Sequence, residues 1–441
     1  MAAISLEAML ACEPEPVRRW IAATRFNAEP GSICPIAGVN GDLERVFVGI
    51  GGDGEPWDWA AFPAKLPQAV YRIDRPLDPR GADSAALGWA LGSYRFDRYR
   101  KREGSPATLV WPENCDRAGV ERAAAATFLV RDLINTPADD MGPEELARSA
   151  ETLSERHGAR FEVIVGDELV IRNFPAIHAV GRASHRPPRL IELRWGEEGD
   201  PKVTLVGKGV CFDSGGLDIK PAAAMKLMKK DMGGAATVLG LAQMVMSANL
   251  PVRLRVLIPA VENSVSGNAL HPLDVVRTRK GLTVEIGNTD AEGRVILADA
   301  LAEAASEQPA LLVDCATLTG AARVALGTEL PALFSNDDDF AAALLSHGAT
   351  VSDPLWRLPL WEPYRRYLDS KVADLTNAPD LPFAGAITAA LFLAEFAAPA
   401  RPWVHLDVMA WNSSTRPGRP EGGEAMGMRA LYAALRDRFG R

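Results

Sequence analysis

Apolar and polar positions follow two different patterns along the chain, and the change falls near residue 117. Before it, short apolar runs such as Arg45-Val-Phe-Val-Gly-Ile50 and Ala69-Val-Tyr-Arg-Ile73 are separated by Pro, Gly and Trp. Runs of this length between turn-forming residues predict brief strands. We therefore predict a small N-terminal α/β domain over residues 1–116.

Beyond residue 117, runs of helix length alternate with runs of strand length. The Ala-rich segment Val120–Leu133 predicts a helix that ends before the Asn135-Thr-Pro137 break. The later runs predict a strand, a helix, a strand, a helix and a strand, in the order 203–206, 233–248, 253–258, 294–307 and 310–314. This alternation predicts an α/β catalytic domain over residues 117–441, with a central mixed sheet flanked by helices.

Composition narrows the class of protein. The 441 residues carry a formal net charge of -9, and no long run of Lys or Arg suggests a surface that follows phosphates, so nucleic acid is an unfavoured partner. The five cysteines are scattered and never form a CxxC pair, which suits a reducing cytosol. We see no secretion signal and no apolar run long enough for a bilayer, so we expect no membrane partner and a cytoplasmic protein.

Between Lys208 and Arg294, charged residues stand beside glycines and at the ends of predicted strands. Asp213, Asp231, Asp290 and Glu292 cannot share one pocket as bare anions, because repulsion and desolvation would protonate some of them. Two divalent cations would cancel their four charges. Since Asp290 and Glu292 are two apart, we expect extended backbone that directs both to one side. Two close metals can share a bridging water and lower its pKa.

Each of these residues also has an ordinary interpretation when taken alone. Lys208 can be a surface lysine, Asp231 an N-cap for the helix that follows, and Arg294 the partner of a nearby carboxylate. Their combination with neighbouring glycines favours a site. Because oxygen ligands dominate, zinc, manganese, cobalt and magnesium are all chemically possible.

Three strings carry a resemblance to a known family. They are Gly207-Lys-Gly-Val-Cys-Phe-Asp-Ser-Gly-Gly216, Lys230-Asp-Met-Gly-Gly-Ala235 and Asn288-Thr-Asp-Ala-Glu-Gly-Arg294. They resemble the leucyl aminopeptidase (M17) metallopeptidases, in which the third string is diagnostic. Further likeness extends over essentially everything after residue 120.

The resemblance implies two metal sites that share ligands. One metal would be bound by Lys208, Asp213, Asp231 and Glu292, and the other by Asp213, Asp290 and Glu292. Lys208 must be neutral to act as a ligand, and two adjacent cations would lower its pKa.

The same resemblance implies the catalytic residues and the reaction. Lys220 and Arg294 would form the catalytic pair, with Arg294 holding a bicarbonate ion that shuttles protons in place of a side-chain base. The enzyme would hydrolyse the N-terminal residue from peptides by attack of a metal-bridged hydroxide. Lys220 would stabilise the negative charge that develops on the substrate.

A substrate pocket is implied at positions that match relatives. Its residues would be Met228, Thr317, Gly320 and Met409, which suit an uncharged side chain. The segment after His405-Leu-Asp407 departs from relatives by placing Met409 and Trp411 close to Asp407, so a preference for leucine stays open. Core packing of Met409 is about as well supported as contact with substrate.

The resemblance further implies peptide substrates and a homo-oligomer, namely a hexamer. Two other functions stay open. Another two-metal hydrolase, such as a phosphoesterase, would use the same metals, although few basic residues are available for phosphate oxygens. A DNA-binding or regulatory role is known in some relatives, and the net negative charge argues against it here.

Overall fold

The structure is a computed structural model that describes residues 6–52, 54–101 and 104–440. The chain divides into two compact units. The first runs to Ala125 and includes the later segment Ser414–Glu421, and the second comprises Ala126–Ser413 and the residues from Gly422 onward. The predicted domain boundary between residues 116 and 117 falls at the first residue of a helix and stays a prediction.

The first unit is built from short helices and short strands. Its helices are α1 (Leu6–Ala11), α2 (Glu15–Ala23), α3 (Pro56–Trp59), α4 (Phe62–Lys65) and α5 (Pro79–Gly92). Its strands are β1 (Ile33–Ala37), β2 (Leu43–Val48), β3 (Val70–Tyr71) and β4 (Thr108–Leu109). β1 and β2 pair in antiparallel fashion, and β3 pairs with β4 in parallel. Both runs predicted as strands contain one, because their apolar residues pack around buried Trp59, Phe62 and Trp89.

Larger helices and strands follow from residue 117 onward. The helices are α6 (Arg117–Asn135), α7 (Pro143–His157), α8 (Glu168–Ile171), α9 (Pro175–Gly181), α10 (Ala222–Met225), α11 (Gly233–Ser247), α12 (Glu292–Ser306), α13 (Gly320–Leu326), α14 (Asp338–Thr350), α15 (Gly385–Ala397) and α16 (Met428–Phe439). The strands are β5 (Arg160–Val165), β6 (Arg189–Trp195), β7 (Lys202–Gly207), β8 (Gly209–Asp213), β9 (Arg253–Asn263), β10 (Val275–Arg277), β11 (Thr283–Glu285), β12 (Leu311–Ala316), β13 (Ala332–Ser335), β14 (Trp356–Arg357), β15 (Leu375–Thr376), β16 (Trp403–Asp407), β17 (Trp411–Asn412) and β18 (Gly422–Gly423).

A mixed sheet of nine strands, counted over the described residues, forms the centre of the second unit. Its order is β14-β13-β16-β12-β7-β9-β6-β5, and β8 also pairs with β9. β16, β12, β7 and β9 run parallel, whereas β13, β6 and β5 join in antiparallel fashion. All six residues of β12 are buried, as expected for a parallel strand covered on both faces.

Helices cover this sheet. Apolar residues of α9, α12 and α15 form one core with β6, β7, β9 and β12. α11 contacts β7, β9 and β12 and also packs against α7 and α16. The sequence Gly233–Met246 is apolar on every side, and every residue in it is buried. The predicted two-domain α/β architecture with a helix-flanked mixed sheet is confirmed.

The parallel strands end at a common edge, where the candidate residues gather. Lys208 follows β7, Thr317 follows β12, and Asp407 is the last residue of β16. Ligands in α/β sheets bind outside the carboxyl ends of the strands. The fold therefore brings segments that are distant in sequence to one place. Over the ranges described, no helix has both the length and the hydropathy needed to cross a membrane.

Candidate active site

Lys208 is a buried lysine at the end of β7. Only 3% of its surface is exposed, so it is not a surface lysine. Its backbone N–H donates to Cys315 O at 3.0 Å, and its Nζ donates to Thr317 O at 2.9 Å. A Cβ on Gly293 would lie 2.5 Å from Lys208 Cε. The absence of a side chain at residue 293 therefore leaves the space that the lysine occupies.

Three buried carboxylates converge around this lysine. Asp213, Asp231 and Glu292 each offer an oxygen, and these oxygens lie within 4.8 Å of one another. Lys208 Nζ lies 2.8 Å from Asp231 Oδ2 and 2.9 Å from Glu292 Oε1. Glu292 Oε2 is buried and has no hydrogen-bond partner among the described residues. Several buried carboxylate oxygens and one amine are a donor set that suits a divalent cation.

Lys220 connects the fourth carboxylate to this group. Its Nζ lies 2.9 Å from Asp213 Oδ2 and also contacts Asp290 Oδ1. The expectation of extended backbone at Asp290 and Glu292 is wrong, because Asp290 lies in a turn and Glu292 is the first residue of α12. The two side chains nevertheless reach the same cluster, Asp290 through Lys220 and Glu292 through Lys208.

The environment of these groups sets their pKa values. Burial, with the charge of Asp213, raises the pKa of Glu292 to about 8, although Lys208 acts in the opposite direction. Burial and Asp213 likewise raise the pKa of Asp290 to about 6. Burial alone would lower the pKa of Lys208, but Asp231, Glu292 and Asp213 together raise it. A neutral Lys208 thus requires added positive charge nearby, such as the two metal ions expected from the sequence.

Asp231 is held in place by Thr317. It belongs to a 3₁₀ turn, Met228–Met232, and the residue at the cap position of α11 is Met232. Thr317 Oγ1 donates to Asp231 Oδ1 at 2.7 Å. The alternative of Asp231 as an N-cap is therefore wrong, because its carboxylate is turned toward Thr317 and Lys208.

Amide side chains fix the loops that carry the carboxylates. Asn263 Nδ2 donates to Asp213 Oδ1 at 2.8 Å and to Thr289 O at 3.1 Å. Asn377 Nδ2 donates to Asn288 O at 2.8 Å and to Ala291 O at 3.2 Å. Neither residue was predicted from the sequence. A signal did exist for Asn263, which is a polar residue at the carboxyl end of the buried strand β9.

Arg294 is buried in α12 without a carboxylate partner in the described ranges. Its Nη1 donates to Asn377 O at 2.7 Å, while its Nε has no hydrogen-bond partner there. Burial lowers its pKa to about 10. The alternative in which Arg294 pairs with a carboxylate is therefore wrong, and the guanidinium keeps capacity for an anion.

One cavity of about 720 Å³ joins these groups to the predicted substrate residues. Its lining includes all the candidates except Glu292, namely Lys208, Asp213, Lys220, Met228, Asp231, Asp290, Arg294, Thr317, Gly320 and Met409. The structure thus brings together residues chosen from distant parts of the sequence.

His405 and Cys211 have ordinary structural environments. His405 Nδ1 lies 2.6 Å from Asp314 Oδ1, and both residues are buried. Cys211 is a buried free thiol on β8. Neither belongs to the group of carboxylates described above.

Comparison with known proteins identifies the family. Residues 128–432 match the catalytic domain of the cytosol aminopeptidase family. The chain belongs to the cytosol aminopeptidase family. Residues 1–112 match the N-terminal domain of M17 aminopeptidases. The resemblance seen in the sequence is confirmed, and this family member is a hydrolase of the aminopeptidase class.

Individual relatives support the same assignment. A probable cytosol aminopeptidase of Syntrophotalea carbinolica is 43% identical over 366 residues, which cover 79% of this chain and 73% of that protein. Cytosol aminopeptidase from Coxiella burnetii has a crystal structure with a TM-score of 0.95 and 51% identity, covering 98% of this chain and 95% of that one. The bottromycin maturation enzyme BotP in complex with Mn gives a TM-score of 0.87 and 38% identity, with coverage of 95% and 96%.

Proposed function

We propose that this cytosol aminopeptidase family member uses two divalent cations to remove the N-terminal residue of peptides. The observation that carries the proposal is the group of buried carboxylates from Asp213, Asp231 and Glu292, whose oxygens lie within 4.8 Å of one another beside buried Lys208. Without cations, burial and then repulsion from Asp213 raise the pKa of Glu292 to about 8. Positive charge at this position would relieve that repulsion.

The ligands would divide between two ions as the family resemblance implies. Lys208, Asp213, Asp231 and Glu292 would hold one ion, and Asp213, Asp290 and Glu292 the other. When bound, the ions supply Lewis acidity and lower the pKa of a coordinated water. Manganese is the first ion to test, because the related BotP structure is described as a complex with Mn. Zinc, cobalt and magnesium are the alternatives.

Lys220 and Arg294 would act on the substrate from the chain itself. Burial alone would lower the pKa of Lys220, but the nearby carboxylates of Asp213 and Asp290 outweigh it and raise the pKa above its ordinary value. The side chain is therefore an ammonium. A fixed cation beside the scissile carbonyl stabilises the negative charge that develops there. Arg294 Nε has no hydrogen-bond partner among the described residues, and a bicarbonate ion held there would accept and return the proton.

Part of the cavity wall is apolar and suits an uncharged N-terminal side chain. Met228 and Met409 contribute flexible apolar surface to the cavity, which Gly320 also lines. We also propose that the enzyme acts in the cytoplasm as a homo-oligomer, most simply a hexamer. Light scattering would then give a mass six times that of the 47.4 kDa chain.

Hydrolysis of leucyl-p-nitroanilide and of its N-acetylated form, with manganese added, tests the proposed reaction. A free α-amine is required if the metals bind it, so only the unblocked substrate is expected to release p-nitroaniline. Equal cleavage of both forms would show an amide hydrolase that needs no free α-amine, such as an endopeptidase. Cleavage of p-nitrophenyl phosphate in place of either would support the phosphoesterase alternative.

A further inference from the structure

Lys230 is a buried lysine of the active-site cavity to which the proposed reaction assigns no role. It stands beside Asp231 in the 3₁₀ turn Met228–Met232, and only 6% of its surface is exposed. It lines the same cavity as Met228 and Thr317. A lysine at such a position is costly to bury unless something pairs with its ammonium group.

The neighbouring Lys229, unlike Lys230, makes contacts within the protein that indicate a structural role. Lys229 Nζ donates to Asn135 O at 2.6 Å and lies 5.5 Å from the centre of the Trp411 ring. Lys230 Nζ, by contrast, makes no hydrogen bond or ion pair within the part of the chain that the structure describes. Its ammonium group therefore has donors available to a molecule in the cavity.

The two carboxylates that attract Lys230 electrostatically are both bound to other groups. Asp231 attracts it more strongly, and its oxygens contact Lys208 and accept a hydrogen bond from Thr317. Asp407 attracts it more weakly. Its oxygens, however, accept hydrogen bonds from Leu318 N at 3.0 Å and from Thr319 N at 3.2 Å and Oγ1 at 2.6 Å. Asp407 thus holds the residues that precede α13. Since its oxygens are bound there, the Lys230 ammonium remains available to a substrate carboxylate.

We propose that Lys230 determines specificity by binding the side-chain carboxylate of an N-terminal Glu or Asp in the substrate. The inference rests on the proposed function, in which Asp231 helps to bind the metal that holds the substrate's α-amine. Lys230 follows Met228 by two residues and precedes Asp231 directly, so it borders the part of the cavity that receives the first side chain. The apolar walls and this ammonium together let one pocket accept both neutral and acidic residues.

A different role for Lys230 makes a different prediction. If it serves only as a counter-ion for Asp231, its removal changes metal affinity and alters cleavage of every substrate by the same factor. If it binds the substrate carboxylate, its removal changes the ratio between acidic and neutral substrates. A substrate with N-terminal Gln has the same side-chain length as one with Glu but carries no charge. Comparing the two substrates therefore isolates the effect of the substrate's charge.

The test compares kcat/KM of wild type, Lys230→Met, Lys230→Arg and Lys226→Met on the p-nitroanilides of Glu, Gln, Met and Leu. These substrates have no free C-terminal carboxylate, so any charge effect comes from the side chain. Lys226 is exposed and does not line the cavity, so its substitution removes one positive charge four residues away. Manganese affinity and melting temperature of each variant are measured alongside.

Loss of a charge-assisted hydrogen bond predicts that Lys230→Met lowers the Glu to Gln ratio about tenfold or more. Lys230→Arg retains most of the ratio, and Lys226→Met leaves it unchanged. An unchanged ratio in Lys230→Met, an equal fall for all four substrates, or a wild type that cleaves Leu but not Glu would overturn the inference alone. A wild type that cleaves none of the four overturns the proposed function as well.

Discussion

Substitution of Gly293 by alanine separates catalysis from stability. Gly293 is the second residue of α12, where alanine favours the helix by up to about 1 kcal/mol. The new Cβ would lie 2.5 Å from Lys208 Cε and 2.7 Å from Lys208 Nζ, whereas ordinary contacts begin at 3.4 Å. The end of the lysine must therefore move by about 1 Å, a displacement that can reduce catalysis about 100-fold.

We expect Gly293→Ala to unfold at the same temperature as wild type or slightly above it. Its kcat/KM for leucyl-p-nitroanilide is expected to fall about 100-fold, because the Lys208 amine leaves its place between Asp231 and Glu292. Calorimetry and steady-state kinetics at saturating manganese measure the two quantities separately.

The same substitution made in the Lys208→Ala variant tests whether displacement of Lys208 causes the fall in kcat/KM. In Lys208→Ala, the methyl of residue 293 has no lysine to displace. Adding Gly293→Ala to Lys208→Ala should then leave manganese affinity unchanged, as a double-mutant cycle requires of two groups that act through one contact. Activity of Gly293→Ala within threefold of wild type, or an additive loss of affinity in the double variant, would show that displacement of Lys208 is not the cause.

Three further predictions follow from the buried polar groups. Glu292 and Asp290 have raised pKa values in the metal-free folded protein, about 8 and about 6. Protonation of these two carboxylates at low pH therefore stabilises the metal-free folded state. This stabilisation is lost as the pH rises through those values, so manganese should raise the melting temperature more above pH 8 than at pH 6. Asn377→Ala removes three hydrogen bonds to the Asp290 loop, at 2.8, 3.2 and 3.2 Å, and should cost about 1–3 kcal/mol in urea unfolding and lower kcat. Asp314→Ala leaves buried His405 without its partner and should cost about 3–5 kcal/mol by the same assay, with metal stoichiometry unchanged.

The sequence alone supports much of the fold and the candidate site, because the relevant residues lie in short local strings. Alternating runs of strand and helix length predict the α/β sheet, and strings around Lys208 and Asp290 place charged residues next to glycines. Such patterns need no knowledge of tertiary contacts.

The rest depends on contacts between distant segments. Asn263 meets Asp213 across 50 residues, and Asn377 meets Arg294 across 83. Asn377 does not stand out in its own segment, so local patterns do not distinguish it from a surface residue. Asn263 is marked only by its place at the end of the buried strand β9, which does not show what it contacts. The backbone at Asp290 was predicted wrongly for a related reason, since the start of α12 at Glu292 replaces an extended strand with a turn. The free ammonium of Lys230 is visible only once its neighbours are known.

Titration of chelator-stripped protein with manganese tests the central claim most directly, with bound ions and leucyl-p-nitroanilide hydrolysis followed together in wild type and in Asp290→Ala and Glu292→Ala. We expect two ions per wild-type chain and activity only after metal is restored. Glu292→Ala, which removes a ligand to both ions, should lose tight binding and activity. Asp290→Ala should retain one ion and lose activity. Full activity in stripped wild-type protein, or two tightly bound ions and normal activity in Glu292→Ala, would contradict the account.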